Sequence, residues 1–273
     1  MTFQEAVLER RVEAVEYAVL DTETTGLSPS MGHRICEVGI VAGRVGEEPT
    51  RLQGQVNPER PSDHRALAVH GLTDERLRHC PKFAKIAHLV KDRLDGRVVV
   101  GWNTGFDIRF LAAEWRRLQW DPLDVLVLDA QRLIKNVLRP HGLSLGIVAE
   151  LMEIDLEAHK ADDDAMATWL IFEQLLKDRE DYEIETVGDL LQMQGKPITW
   201  PASLWEDPGV PEAIRDALKG SLPLSFRYAK EDGRTMGYTG VPLDVCGNYL
   251  ILRIDGRPYT FKRELIRRAT VVS

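Results

Sequence analysis

The stretch YAVLDTETTG, Tyr17–Gly26, runs four apolar or aromatic residues into two acids spaced two apart and then turns. It reads as a compact strand. Side chains alternate across a strand, so Asp21 and Glu23 point to one face. Asp21 ends the apolar run, where its carboxylate is exposed at the end of a sheet, and TTG carries the chain away. Carboxylates repel each other and resist burial unless a cation holds them together.

Downstream, ICEVGIVAGRV and TRLQGQVNP read as two further strands, which gives an antiparallel three-strand opening. RALAVHG is a short helix ended by Gly71, and Thr73 caps DERLRH. FAKIAHLVKDRL is amphipathic, RVVVGW and DVLVLDA are strands, and QRLIKNVL, SLGIVAELM and DDDAMATWLIFEQLLKD are helices. Asn103 or Thr104 is placed to cap the helix of FDIRFLAAEWRRL. Upstream, TFQEAVLERRVEAVE predicts an N-terminal helix over residues 2–15. The alternation of strands and helices predicts a mixed α/β sheet with helices on its faces.

Two more segments add chemistry. Asp107 sits near the start of its helix in GWNTGFDIRFL, and His159 and Asp164 sit in HKADDDAMATWLIF. Asp164 shares a helical face with Thr168 and Ile171 and is favoured as the inward acid. Asp162 and Asp163 read as solvated. Each acid alone has an ordinary explanation as a surface or helix-start residue. Four acids and a histidine gathered at one sheet end predict a site for two divalent ions and hydrolysis of a phosphodiester.

The three segments, in this order, resemble the exonuclease motifs of the DnaQ-like 3′–5′ exonucleases. This is the DEDDh branch of the ribonuclease H-like superfamily, the group of the proofreading epsilon subunit, exonuclease X and ribonuclease T. The resemblance covers about residues 15–178 and includes ALAVHGLTDE. It implies that Asp21, Glu23, Asp107 and Asp164 bind two Mg²⁺ or Mn²⁺ ions and that His159 is the general base. Two ions would clamp the attacking and leaving oxygens of an in-line displacement. It implies contacts to the terminal nucleotide from Thr24 and Leu27, which read equally well as a turn residue and a core contact. His70 matches a histidine near the nucleotide, or simply ends its helix. Trp102 and Asn103 stand where the family commonly has His-Asn. Trp102 either packs in the core, the favoured reading, or stacks on a base.

Beyond residue 180 the pattern changes. DREDYEIETVG is acidic, GKPITWP and EDPGVP are broken by Pro and Gly, and PEAIRDALKG is a short helix. The remainder is rich in β signals, with hairpin turns at EDG and IDG. The predicted organisation is an exonuclease domain over 1–180, a linker with a short helix over 181–220, and a small β-barrel-like module over 221–273. That last segment resembles in part a WYL-type, SH3-like barrel, without a Trp-Tyr-Leu signature. Arg253, Arg257, Lys262, Arg263, Arg267 and Arg268 face only Asp255 and Glu264 there, either as a solvated face or as a patch that steers nucleic acid.

A net charge of −8 argues against tight non-specific binding of a long phosphate backbone by the whole surface. It suits a grip on a few terminal nucleotides. Cys36, Cys80 and Cys246 match no zinc spacing and read as reduced thiols, and no apolar run approaches a membrane span. A cytoplasmic protein is expected. The expected partner is a nucleic-acid 3′ end, with DNA favoured over RNA and single strands over duplex, while a polymerase partner is left open. The alternatives are a 3′–5′ exoribonuclease, or a non-catalytic nucleic-acid-binding or regulatory protein working through the C-terminal module.

Overall fold

The computed structural model describes residues 1–29, 32–154, 161–200, 211–220, 222–230, 234–246 and 249–272. Two compact units divide the chain, Met1–Leu27 with Arg34–Trp200, and Ser28–His33 with Pro201–Ser273.

In the first unit the strands are β1 (Tyr17–Thr24), β2 (Ile35–Gly43), β3 (Thr50–Gln55), β4 (Val98–Gly101) and β5 (Val127–Asp129). They form one sheet in the order β3-β2-β1-β4-β5. β1, β2 and β3 pair antiparallel, whereas β4 joins β1 and β5 joins β4 in parallel. This is the mixed sheet that the alternation of elements predicts. Its helices are α1 (Phe3–Val7), α2 (His64–His70), α3 (Asp74–Arg78), α4 (Phe83–Leu94), α5 (Gly105–Arg117), α6 (Ala130–Leu138), α7 (Leu145–Leu151), α8 (Ala161–Lys177) and α9 (Val187–Gln194).

Alternate residues of the central strands feed two separate cores. Tyr17, Val19, Val98 and Val100 join Trp169, Ile171 and Phe172 of α8 on one face. Ala18, Leu20 and Val99 join Phe83 and Val90 of α4 and Leu111 and Trp115 of α5 on the other. A sheet covered on both faces needs strands apolar throughout, which explains the unbroken run YAVL. The period of two then assigns Asp21 and Glu23 to the α8 face, and Thr22 to the α5 face.

Helix ends follow the sequence closely. Thr73 accepts the Arg76 amide as N-cap of α3, and Gly71 closes α2 in the left-handed region, at φ 68°. Thr104 stands at the N-cap of α5 but makes no capping bond, because its hydroxyl donates to the Leu128 carbonyl at 2.7 Å.

Three expectations need correction. The predicted helix over residues 2–15 stops at Val7, and a short 3₁₀ turn follows at Val12–Ala14. The carbonyls of Leu8 and Arg10 accept the amides of Gly188 and Val187, and the Val12 amide donates to the Glu185 carbonyl. Those long-range bonds replace helical ones. The stretch after 180, read as a linker, is packed into the first unit as far as Trp200, with Ile184, Val187, Leu190 and Trp200 buried.

The third correction concerns the C-terminal strands β6 (Leu224–Ala229), β7 (Thr235–Cys246), β8 (Tyr249–Ile254), β9 (Arg257–Lys262) and β10 (Ile266–Val271). They form an antiparallel sheet in the order β10-β6-β7-β8-β9. Among the described residues β9 and β10 do not pair, so the sheet is open and is not a closed barrel. Its core sets Ile214, Ala217 and Leu218 of α10 (Glu212–Gly220) among Leu224, Phe226, Leu250, Leu252 and Phe261. Asp255 and Gly256, both at positive φ, make the two-residue turn between β8 and β9 that IDG predicts. The EDG turn lies outside the described residues.

Candidate metal centre at the end of the central strand

The site grows from β1. Asp21 and Glu23 project toward α8, whose first turn carries Asp164. Oxygens from Asp21, Glu23 and Asp164 all lie within 4.8 Å of one another. Of the DDD triplet, Asp164 is thus the inward acid, as expected. Asp162 and Asp163 are not simply solvated. Arg51 of β3 holds both, with its Nε 3.1 Å from Asp162 Oδ1 and its Nη2 3.5 Å from Asp163 Oδ1.

Asp107 arrives from the opposite face. It is buried on the first turn of α5, and its Oδ1 accepts both the Thr22 amide at 3.0 Å and the Thr22 hydroxyl at 2.7 Å. Thr22 therefore ties Asp107 to the strand between the two β1 acids. His159 lies outside the described residues, two positions before Ala161 in the chain.

The electrostatics are those of acids crowded together and buried. Burial pushes the Asp21 carboxyl well above the ordinary range, and Asp107, Asp164, Glu23 and Glu37 push it further. Burial, then Asp164, raises Glu23 to about 7. Burial also raises Asp107, against the lowering effect of its Thr22 bonds. Hard oxygen donors grouped this tightly fit a divalent ion such as Mg²⁺ or Mn²⁺. Bound ions would neutralise the acids and return them to the ionised form.

A consequence can be measured. Glu23 favours its protonated form in the folded protein, so the stability it contributes is full below its unfolded pKa of 4.5. That contribution is lost as pH rises through about 7. Up to about 3 kcal/mol is at stake for this one group. In EDTA, the melting temperature is expected to fall between about pH 5 and 8, and excess Mg²⁺ to restore most of the loss at the upper end. A metal-free melting temperature that rises over this interval, or Mg²⁺ that acts equally at both ends, would contradict the strained cluster.

The remaining predicted residues are spread around this centre. The Thr24 hydroxyl is turned into its own bend, donating to the Gly26 carbonyl at 2.7 Å. Leu27 is 80% exposed, so it is not a core contact. His70 is buried, and its Nδ1 accepts the Leu72 amide at 2.9 Å. Burial lowers its pKa, so the imidazole is neutral at pH 7. Trp102 packs against the α8-side core, and its indole N–H donates to the Leu143 carbonyl at 3.0 Å. Asn103 is exposed with φ 60°, and its amide donates to Asp129 Oδ1 at 3.0 Å.

Within the C-terminal unit, Arg253, Arg257, Arg267 and Arg268 are exposed, and Arg267 pairs across strands with Arg227. Like charges directly opposite are unfavourable, and solvent screens them here.

Sequence reasoning assigned no role to Glu37. It lies opposite Glu23 in the β1–β2 register, and is buried beside the acids. A register shift follows at once, where Thr24 pairs with Ile35 and leaves Cys36 unmatched. Such bulges locally re-aim strands near functional sites. The signal was the strand pairing itself, which sets ICEVG against DTETT.

A mixed five-stranded sheet with helices on both faces and acids collected at the end of its central strand is the ribonuclease H-like architecture. The chain belongs to the exonuclease family described as Exonuclease (RNase T), which matches residues 18–172. It is 31% identical over 183 residues to a PolC-type DNA polymerase III of Latilactobacillus sakei, covering 66% of this chain and 12% of that one. It is 33% identical over 144 residues to the DNA polymerase III subunit epsilon of Rickettsia prowazekii, covering 50% of this chain and 62% of that one. The chain thus spans less than two thirds of the length of either relative. In fold it resembles exonuclease X, solved in complex with 5′ overhanging duplex DNA. The TM-score is 0.50 at 19% identity, over 66% of this chain and 99% of that one. Among the described residues no helix is long and apolar enough to cross a membrane.

Proposed function

We propose that this chain is a metal-dependent 3′–5′ exonuclease that removes nucleoside 5′-monophosphates from the 3′ end of DNA, with single strands preferred. The observation that carries the reading is the convergence of the Asp21, Glu23 and Asp164 oxygens within 4.8 Å, on a chain of the exonuclease family. Asp21, Glu23, Asp107 and Asp164 would hold two divalent ions, Mg²⁺ or Mn²⁺. Bound there, the ions supply charge neutralisation for the scissile phosphate and a water of lowered pKa.

The residues of the chain do the rest. His159 takes the proton of the attacking water as its oxygen joins the terminal phosphorus, and the bond to the 3′ oxygen of the preceding nucleotide breaks. That oxygen takes a proton from solvent, His159 later returns its own to solvent, and the terminal nucleotide departs as its 5′-monophosphate. An imidazole with an ordinary pKa near 6.5 suits proton acceptance at neutral pH. Thr22 keeps Asp107 aimed while Leu27, exposed beside the acids on the chain, offers an apolar surface to the terminal base. Thr24, His70, Trp102 and Asn103 complete the proposed substrate contacts. DNA is favoured because the relatives named above are DNA polymerase III proteins.

Product analysis on 3′- and 5′-labelled single-stranded DNA, duplex DNA and RNA, with Mg²⁺, Mn²⁺ or EDTA, tests this. The expected result is stepwise shortening from the 3′ end with mononucleotide release, absent in EDTA. Early internal cuts, or cleavage that survives EDTA, would overturn it. Faster trimming of RNA than of matched DNA would give the exoribonuclease reading instead.

A further inference from the structure

We propose that Glu37 is a positioning residue that fixes the first turn of α8, and with it Asp164, against the strand carrying Asp21 and Glu23. This rests on the exonuclease reading. Glu37 is 2% exposed and lies on β2 directly opposite Glu23. A fifth carboxylate beside the cluster only adds repulsion, so its presence calls for a reason.

The hydrogen bonds give one. Glu37 Oε2 accepts the Ala161 amide at 3.2 Å, and Oε1 accepts the side-chain amides of Gln53 at 3.2 Å and Gln55 at 2.9 Å. Ala161 opens α8, where backbone amides lack partners within the helix and negative charge is favoured. Glu37 therefore serves as an acceptor for α8 from a neighbouring strand. The bond falls three residues before Asp164, and two residues along the chain from His159.

Gly39 makes the approach possible. It pairs with Asp21, and a Cβ on it would lie 2.1 Å from the Ala161 carbonyl oxygen. The helix start thus rests on the bare backbone of β2, with Glu37 binding it two residues away. Both oxygens of Glu37 are used as acceptors, a role a carboxylate fills on either side. A glutamine there would point its NH₂ group at a donor on one side or the other. Gln55 is not free to reverse, because its own carbonyl oxygen accepts Arg76 Nε at 2.9 Å.

The test compares wild type, Glu37→Gln and Glu37→Asp by Mn²⁺ titration of the free protein under electron paramagnetic resonance. Steady-state cleavage of a short single-stranded oligonucleotide and thermal melting in EDTA accompany it. Outer partners of metal ligands commonly govern affinity or activity by about 10–100-fold. Glu37→Gln is expected to weaken Mn²⁺ binding and lower kcat by about 10-fold or more, with KM little changed. Glu37→Asp keeps the charge but withdraws it from Ala161, so a similar loss is expected. A residue that merely supported the fold would shift melting without splitting kcat from KM or altering Mn²⁺ affinity. Wild-type Mn²⁺ affinity in either folded variant would overturn the proposal. Wild-type protein that neither binds Mn²⁺ nor cleaves would instead overturn the exonuclease reading beneath it.

Discussion

Asp21→Asn is expected to abolish metal-dependent cleavage while making the metal-free protein more stable. Asp21 is the acid on which the cluster's repulsion converges, since burial and four neighbouring carboxylates all disfavour its ionised form. An amide of the same shape carries no charge, so the penalty disappears with the substitution. On the proposed function, the same substitution removes a charged ligand from a site that would hold cations against a phosphodiester. A loss of kcat on the order of 10³-fold or more is expected, about 4 kcal/mol of transition-state stabilisation. The melting temperature in EDTA should rise by a few degrees, as about 1 kcal/mol gives in a chain of this size. Circular dichroism melts and single-turnover cleavage read the two effects separately. A variant that is inactive and also less stable in EDTA would indicate that Asp21 supports the fold.

Gly39→Ala should be the most disruptive single-methyl change in the sheet. The added carbon would meet the Ala161 carbonyl oxygen at 2.1 Å, its carbon at 2.3 Å and the Asp162 amide at 2.6 Å. All three are backbone atoms, so no side chain can swing aside, and relief requires α8 to move bodily. Overpacking of this kind commonly costs about 1–3 kcal/mol, and the upper end is expected here. The denaturant midpoint should fall accordingly, and Mg²⁺ should recover less stability than it does in the wild type, because Asp164 travels with the helix. A variant within about 0.5 kcal/mol of wild type would place the start of α8 elsewhere.

Much of this arrangement was legible in the residues. The run YAVL before Asp21, the three-strand opening and the amphipathic helices each carry a period that only one kind of element satisfies. The choice of Asp164 over its two neighbours followed from helical spacing with Thr168 and Ile171. Other features depend on distant partners. Glu37 looked like an ordinary polar position in a strand because its meaning lies in the register with Glu23, and Arg51 reaches Asp162 and Asp163 from another strand. Similarly, the N-terminal helix ends early because Leu8 and Arg10 give their carbonyls to residues near 187, a choice no local propensity encodes. The polar composition after residue 180 concealed Val187, Leu190 and Trp200, too few apolar residues to show a period but enough to anchor the segment. The C-terminal hairpins were readable individually. Whether their outer strands meet was not, because closure depends on curvature summed over the whole sheet.

If Asp107 holds a cation as proposed, its two hydrogen bonds from Thr22 bear on how tightly the centre would load. A carboxylate that swings freely must surrender rotamer entropy when it captures an ion, about 0.5–1.5 kcal/mol for each side chain immobilised. Asp107 has already surrendered it, held by the amide and hydroxyl of a residue flanked in the chain by Asp21 and Glu23. Folding therefore does the ordering in advance, and under the proposed function an arriving cation would find this arm of the cage already set.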